Sequence, residues 1–311
     1  MSSALPAPSV QAKGIKMLFV SVLCLGLSWP AMKLGLDSVS AYWMVALRLL
    51  FALPVIALFV FITKKRLPTF SRPDRAVIFT VAVVQFIGSM GLITVCLQYI
   101  PAGTASILIY TTPLWMLVID TLWYRQRPTA KRLLLTSTST LGVAMILFAS
   151  GQPGAWLPLF GMLLASGLWA VSIRRVSFHK WHGSVIDAVF WQFALAGVVM
   201  LAVACVIEGV PNFSEYGWRG WLSLSYIGPI ATGLGFGLMV SAGPKLPPER
   251  IVLISTLTPI IGYVSSVILL GETLLPMVIV GATVMLCALT LNALPKSALK
   301  KLISKVPGQT K

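Results

Sequence analysis

Residues 101–124, PAGTASILIYTTPLWMLVIDTLWY, and residues 247–270, PPERIVLISTLTPIIGYVSSVILL, are two versions of one segment. Each opens on proline, and each is interrupted by Thr-Pro, at Thr112-Pro113 and Thr258-Pro259. The offset is 146 residues in both cases (247 − 101 and 259 − 113), and it also lays Gly91-Leu92 on Gly237-Leu238 and Val118 on Val264. Matches at one constant spacing mark an internal duplication, and a duplication limits how the rest of a chain can pack. Each segment is apolar and long enough to cross a bilayer, with a proline inside that removes a backbone hydrogen bond and bends the helix. In lipid the freed carbonyls need partners within the protein, so paired breaks predict a polar cavity near the membrane midplane.

The rest of the chain agrees with a membrane setting. It is 57% hydrophobic and 10% charged, with a mean hydropathy of +0.90, which lies outside soluble composition. Ten spans are predicted, near 15–35, 41–63, 75–98, 103–124, 132–150, 157–175, 184–207, 218–241, 249–270 and 274–294. The expected organisation is an N-terminal tail (1–14), a first repeat (15–150), a second repeat (151–294) and a basic C-terminal tail (295–311). Within that tail ALKKLISKV reads either as an interfacial helix on anionic lipid or as a solvated basic end. The first span is expected to stay as a membrane helix, because no small-residue cleavage site follows it. Cys24, Cys96, Cys205 and Cys287 sit in apolar runs and read as small core residues rather than a disulfide framework. With His179 and His182 as the only histidines, both in a basic loop, no ligand set for zinc or haem is evident, and neither a metal nor a cofactor is expected.

Charge sets the orientation. Of the 24 basic residues, all but Lys33, Arg48 and Arg219 fall in the termini or in the loops after spans two, four, six and eight. The opposite loops carry Asp37, Glu208, Glu215 and Glu272, so both termini are expected in the cytoplasm of a bacterial inner membrane. Basic residues scattered between spans do not make a nucleic-acid surface, although the net charge is +16. Five spans per copy is an odd number, so the second copy must run through the membrane in the opposite sense. Matching loops accordingly exchange charge: Arg125, Arg127, Lys131 and Arg132 correspond to Gly271-Glu272-Thr273. The fold class expected is therefore all-α integral membrane, ten transmembrane helices as a 5+5 inverted repeat around a central cavity.

The chain resembles the EamA family of the drug/metabolite transporter superfamily over nearly all of residues 15–294. The resemblance is carried by the 5+5 arrangement, the segment Leu25-Gly26-Leu27-Ser28-Trp29-Pro30-Ala31-Met32-Lys33-Leu34-Gly35-Leu36, Arg48 in the second span, the two Thr-Pro breaks and Gly271-Glu272 after the ninth span. The first copy departs from the pattern with Arg125-Gln126 in the place of Gly-Glu, and Leu25 stands where many relatives have tryptophan. Within the family the likeness is greatest to YddG-type amino-acid exporters. That resemblance implies export of aromatic and other amino acids through a cavity between the copies.

The residues themselves give candidates for such a cavity. Ser28 and Trp29 precede Pro30; Tyr110, Thr111 and Thr112 precede Pro113; Ser255, Thr256 and Thr258 precede Pro259. Hydroxyls and freed backbone groups near these breaks can bind a zwitterion, and Trp29, Tyr110 and Trp169 can hold an apolar or aromatic side chain. The plainer alternative is that the hydroxyls bond to their own helices and the tryptophans pack between spans. Pro30, Pro113, Pro259 and Gly228-Pro229 are candidate hinges. The glycines of the third and eighth spans (Gly88, Gly91, Gly233, Gly235, Gly237) read as close packing or bending points. Arg48 lies two turns inside the second span and can hold a carboxylate or cap broken-helix carbonyls. Asp120 and Asp187 lie near cytoplasmic ends, where ion pairs are expected. No carboxylate falls mid-span, so neutral or zwitterionic solutes without proton coupling are expected. Partners are then a small-molecule substrate and lipid, with the monomer as the functional unit. Drugs or other metabolites are alternative substrates. A lipid-modifying enzyme would need clustered acid, base or metal ligands, and a channel would need a charge ring or filter.

Overall fold

The structure is a computed structural model and describes residues 7–273 and 275–293. Ten helices make it up: α1 (Pro8–Gly35), α2 (Ala41–Lys64), α3 (Arg72–Leu97), α4 (Ala102–Leu122), α5 (Ala130–Ser150), α6 (Trp156–Ser177), α7 (Val185–Glu208), α8 (Phe213–Lys245), α9 (Glu249–Leu270) and α10 (Pro276–Ala293). The first nine are long and apolar enough to cross a membrane; α10 is shorter. No strand occurs among the described residues. Side chains such as Leu58, Phe79, Leu134, Leu157 and Ile268 are exposed around the outside, which suits contact with lipid tails rather than water. Helix α1 starts at Pro8, within the tail expected over 1–14, because proline at a first turn has its φ already set and loses no bond there. The lysine-rich tail at 295–311 lies outside the described residues.

Packing follows the duplication. Each of α2, α4 and α5 lies along its own counterpart, α7, α9 and α10. Helix α1 packs on α8 and α9 as α6 packs on α3 and α4, and α2 meets α8 as α7 meets α3. Counterpart helices also share their irregularities. A π-helical stretch interrupts α3 at Ala82–Ser89 and α8 at Tyr226–Gly235, and residues 82–89 fall on 228–235 at the 146 offset. The break of α4 at Ile109–Thr111 matches the turn at Thr256 in α9. At the contact of α5 with α10, Cβ atoms added at Gly142 or Gly281 would stand 2.5–2.6 Å from the other glycine's carbonyl, so the two backbones touch there.

Among the polar ties between distant segments, several join helix ends on one face. On the face of the acidic loops, Glu272 accepts from the N–H groups of Ala102 (2.6 Å) and Gly103 (2.9 Å), and Lys33 donates to the carbonyls of Leu97, Gln98 and Ile100 at 2.7–3.1 Å. These caps suit the helix dipoles, an anion at the start of α4 and a cation at the end of α3. Lys33, one of the three basic residues outside the charge pattern, is explained by that contact. The basic face holds the Asp74, Asp120 and Asp187 clusters described below.

Three expectations need correcting. Helix α1 is continuous through Pro30: a proline removes one bond, and close packing of Gly26 onto the Thr258 carbonyl and Ile261 of α9 supports the helix one turn before it. Gly91 has no atom within 4 Å of an added Cβ, so it is not a close-packing site, whereas Gly228 and Gly233 do press on α2 at Phe51 and Val55. Of the four free cysteines, Cys96 alone is buried; Cys205 and Cys287 are exposed on the outer surface, where an apolar run continues without being core.

Candidate functional site

The break in α4 brings three helices together. Trp29 of α1 is 7% exposed and packs beside Ser106 of α4 and Gly262 of α9: a Cβ at Gly262 would stand 2.9 Å from its ring and 2.7 Å from the Ser106 Cβ. The Ser106 hydroxyl donates to the carbonyls of Gly103 (2.7 Å) and Pro259 (3.2 Å), joining the two broken helices. Tyr110 reaches the Thr258 side chain with its hydroxyl. The counterpart segments thus meet across the repeat axis.

Other candidate hydroxyls close their own turns. Ser28 bonds the Leu25 carbonyl (2.6 Å), Thr112 that of Ile109 (2.7 Å) and Thr256 that of Leu253 (2.7 Å). These bonds satisfy carbonyls near the breaks. Thr111 reaches both its own Leu108 carbonyl (2.8 Å) and Ser166 of α6, hydroxyl to hydroxyl at 2.6 Å. The Ser255 hydroxyl is buried without a hydrogen-bond partner among the described residues. Trp169 joins an aromatic cluster with Phe86 (6.5 Å between ring centres) and Phe236 (6.2 Å), which both also meet Phe193 at 4.9 and 5.7 Å.

Arg48 is 5% exposed. Its Nε donates to the Thr232 hydroxyl at 2.6 Å and its Nη1 faces the Met32 sulfur at 2.9 Å. Thr232 in turn bonds the Ile227 carbonyl five residues back at 2.7 Å, the π-helical spacing. Among the described residues no carboxylate pairs with Arg48, so a buried positive charge rests on a hydroxyl and a weak thioether acceptor. Thr232 and Phe86 are themselves counterparts at the 146 offset, each inside its π-helical stretch. Both groupings draw on both copies: Arg48 of the first copy meets Thr232 of the second, and Phe86 of the first meets Trp169, Phe193 and Phe236 of the second. Met32, Phe86, Ser166, Phe193, Thr232 and Phe236 were not singled out in the sequence, although the offset that aligns the Thr-Pro breaks would have paired Phe86 with Thr232.

At the basic face the acids are paired. Asp120 accepts from Arg132 (2.7 Å) and Arg174 (2.5 Å), and Asp187 from Arg66 (2.7 Å) and Thr69 (3.0 Å) with Lys64 nearby. Of the sequence neighbours Arg125, Arg127, Arg174 and Lys180, Arg174 is a partner, of Asp120; the other partners are Arg132 of α5 and groups at the end of α2 and in the loop after it. Asp74, which the sequence left unassigned, lies against both histidines. The reading that the histidines have no ligand partners is corrected here: the third group comes from 105 residues away in sequence. A hollow of about 710 Å³ opens on this face between α1, α2, α7 and α8, bordered by Met17, Phe59, Lys64, Ile186, Leu238 and Lys245 among others. None of the predicted lining residues borders it. A second hollow, about 690 Å³, is a lateral apolar groove between α3 and α7 bordered by Phe79, Trp191 and Leu195.

The model of the EamA-like transporter family matches residues 12–148 and again 155–294. The chain belongs to that family. It is therefore a multi-pass membrane transporter of the drug/metabolite transporter type, acting on small molecules. It is 24% identical over 282 residues to the probable amino-acid metabolite efflux pump of Salmonella typhimurium, covering 87% of this chain and 91% of that one. The Escherichia coli protein of the same name is 23% identical over 90% of this chain and 94% of its own. The uncharacterized transporter YoaV of Bacillus subtilis is 23% identical over 86% and 92%. A solved crystal structure, 16% identical, shares the fold with a TM-score of 0.60 over 97% of this chain and 99% of that one.

Proposed function

We propose that this EamA transporter exports amino acids, aromatic and other neutral or zwitterionic ones, with related metabolites, across the inner membrane by alternating access. In this reading it works as a monomer with both termini cytoplasmic and carries out no chemistry on its cargo. The observation that carries the reading is a buried cationic group, Arg48 with Thr232, together with the aromatic cluster of Phe86, Trp169, Phe193 and Phe236, with Thr232 and Phe86 at counterpart positions. An amino acid has the same two ends: its carboxylate suits an otherwise unpaired guanidinium, and its side chain suits apolar and aromatic area. The hollow on the basic face lies between helices of both copies, and Phe59, which borders it, stands about three turns along α2 from Arg48. In this reading the acidic face is the closed one, with Glu272 bonded across the copies to Ala102 and Lys33 to the end of α3. Breaks at Pro113 and Pro259, with the Trp29, Tyr110 and Thr258 contact between them, are where the halves would move. The efflux-pump names of two relatives agree with this reading.

The test is counterflow of labelled amino acids in proteoliposomes against a lipophilic cation and a nucleotide sugar. Saturable exchange of neutral amino acids is expected, indifferent to an imposed pH gradient because no carboxylate among the described residues lies mid-membrane. Arg48→Met should cut amino-acid exchange about tenfold or more, the loss of roughly 1.4 kcal/mol of carboxylate binding. Preference for the cation or the nucleotide sugar, or unchanged exchange in Arg48→Met, would overturn the reading.

A further inference from the structure

The turn that opens α3 and the loop joining α6 to α7 meet at three side chains that no transport step uses. Asp74 Oδ1 lies 2.8 Å from His179 Nε2 and 3.3 Å from His182 Nδ1, and the three potential ligand atoms all fall within 4.8 Å of one another. Asp74 is 1% exposed, held by the Gly183 N–H on its other oxygen at 2.7 Å and by the His182 N–H at 3.2 Å. Both histidines come from one short loop, three residues apart, and the His182 side chain is 62% exposed. Neighbouring ligand atoms on a tetrahedral ion lie roughly 3.3–3.6 Å apart when each bond is 2.0–2.2 Å. The Asp74–His182 edge at 3.3 Å already fits, the Asp74–His179 edge at 2.8 Å needs to open by about half an ångström, and the edge between the two imidazoles lies within 4.8 Å.

We propose that Asp74, His179 and His182 form a binding site for a divalent d-block cation of the zinc class, with water on the exposed side completing the shell. Two imidazoles and one carboxylate select such ions over magnesium or calcium, which take several oxygens. The same selection follows from the surroundings. Arg72, Arg75 and Lys180 adjoin the triad in sequence and oppose a dication held only by charge, whereas inner-sphere bonds to imidazole nitrogen persist. Gly183 keeps its hydrogen bond to the second carboxylate oxygen, which orients the first, as outer-sphere partners do in metal sites. Because Asp74 belongs to the first copy and the histidines to the second, the ion ties the two halves together at the basic face. Resting on the alternating-access reading above, the consequence is that the bound ion holds that face in one arrangement and slows exchange.

The experiment uses the full chain, purified without a polyhistidine tag. Cobalt(II) titration should give visible absorption bands at one ion per chain, displaced by zinc and lost in Asp74→Asn, His179→Ala and His182→Ala. His182→Ala is the decisive variant, since an exposed side chain can be removed without unfolding the protein. Absent bands, or bands that survive His182→Ala, overturn the site and leave a plain Asp–His hydrogen-bonded clasp. In proteoliposomes zinc should slow exchange about fivefold or more in the natural chain and not in His182→Ala; equal zinc sensitivity in the two would overturn the tie. The cobalt titration needs no transport, so a failure of the transport reading leaves it intact.

Discussion

Gly271 and Arg125 occupy counterpart positions and adopt the same left-handed backbone, at φ 67° and 51°. At Gly271 that conformation ends α9 and turns the chain so that Glu272 reaches α4. The first copy keeps the turn but makes it with a residue carrying a Cβ, at a cost of about 1 kcal/mol. Arg125→Gly should therefore be tolerated or raise the melting temperature in detergent, while Gly271→Ala should lower it. A melting series followed by tryptophan fluorescence would show this, and equal effects of the two changes would refute it. The departure from Gly-Glu to Arg-Gln was legible in the sequence; the shared dihedral was not, because arginine at such a turn leaves no compositional mark. Asp74 was illegible for a different reason. Nothing local distinguishes an aspartate in a basic loop until the fold brings two histidines to it.

Among the elements, α5 and α10 form the contact on which both copies close, and they meet backbone to backbone at Gly142 and Gly281. Gly142→Leu should destabilise by about 1–3 kcal/mol or more, because the carbonyl in its way cannot rotate aside. Gly91→Ala should be neutral or mildly stabilising, since open space lies beyond it and alanine suits a helix better by about 0.5–1 kcal/mol. Thermal melting and gel-filtration profiles of the pair would check the contrast, and equal losses would contradict it. Long apolar runs made the ten spans readable, and the Thr-Pro pairs made the breaks in α4 and α9 readable. The π-helical stretches were hidden, for Pro229 in the second copy has Val83 as its counterpart and no shared proline announces them. Pro30 misled in the other direction: a proline is a local signal, and whether the helix breaks depends on what packs against it. The hydroxyls at the breaks were visible in the sequence as polar groups beside Pro30, Pro113 and Pro259. That Thr111 and Thr112 also reach Ser166, besides closing their own turns, depended on α6, whose approach the linear order does not reveal.

For the molecule as a whole, the two halves are alike in path but unlike at their ends. Glu272 grips the N–H groups of Ala102 and Gly103 on the acidic face. The same offset places Gln126 opposite Pro248 and Glu249 on the basic face, and proline has no N–H to give. Glu272→Ala should remove about 0.5–2 kcal/mol of capping and so raise reaction of a cysteine placed at Ala102 with a membrane-impermeant thiol reagent added on the acidic side. An unchanged labelling rate would show that the grip does not hold that face. If it does, the carrier resembles a revolving door with a bolt on one leaf only: left without cargo it comes to rest facing the side that has no bolt, waiting to be loaded from there.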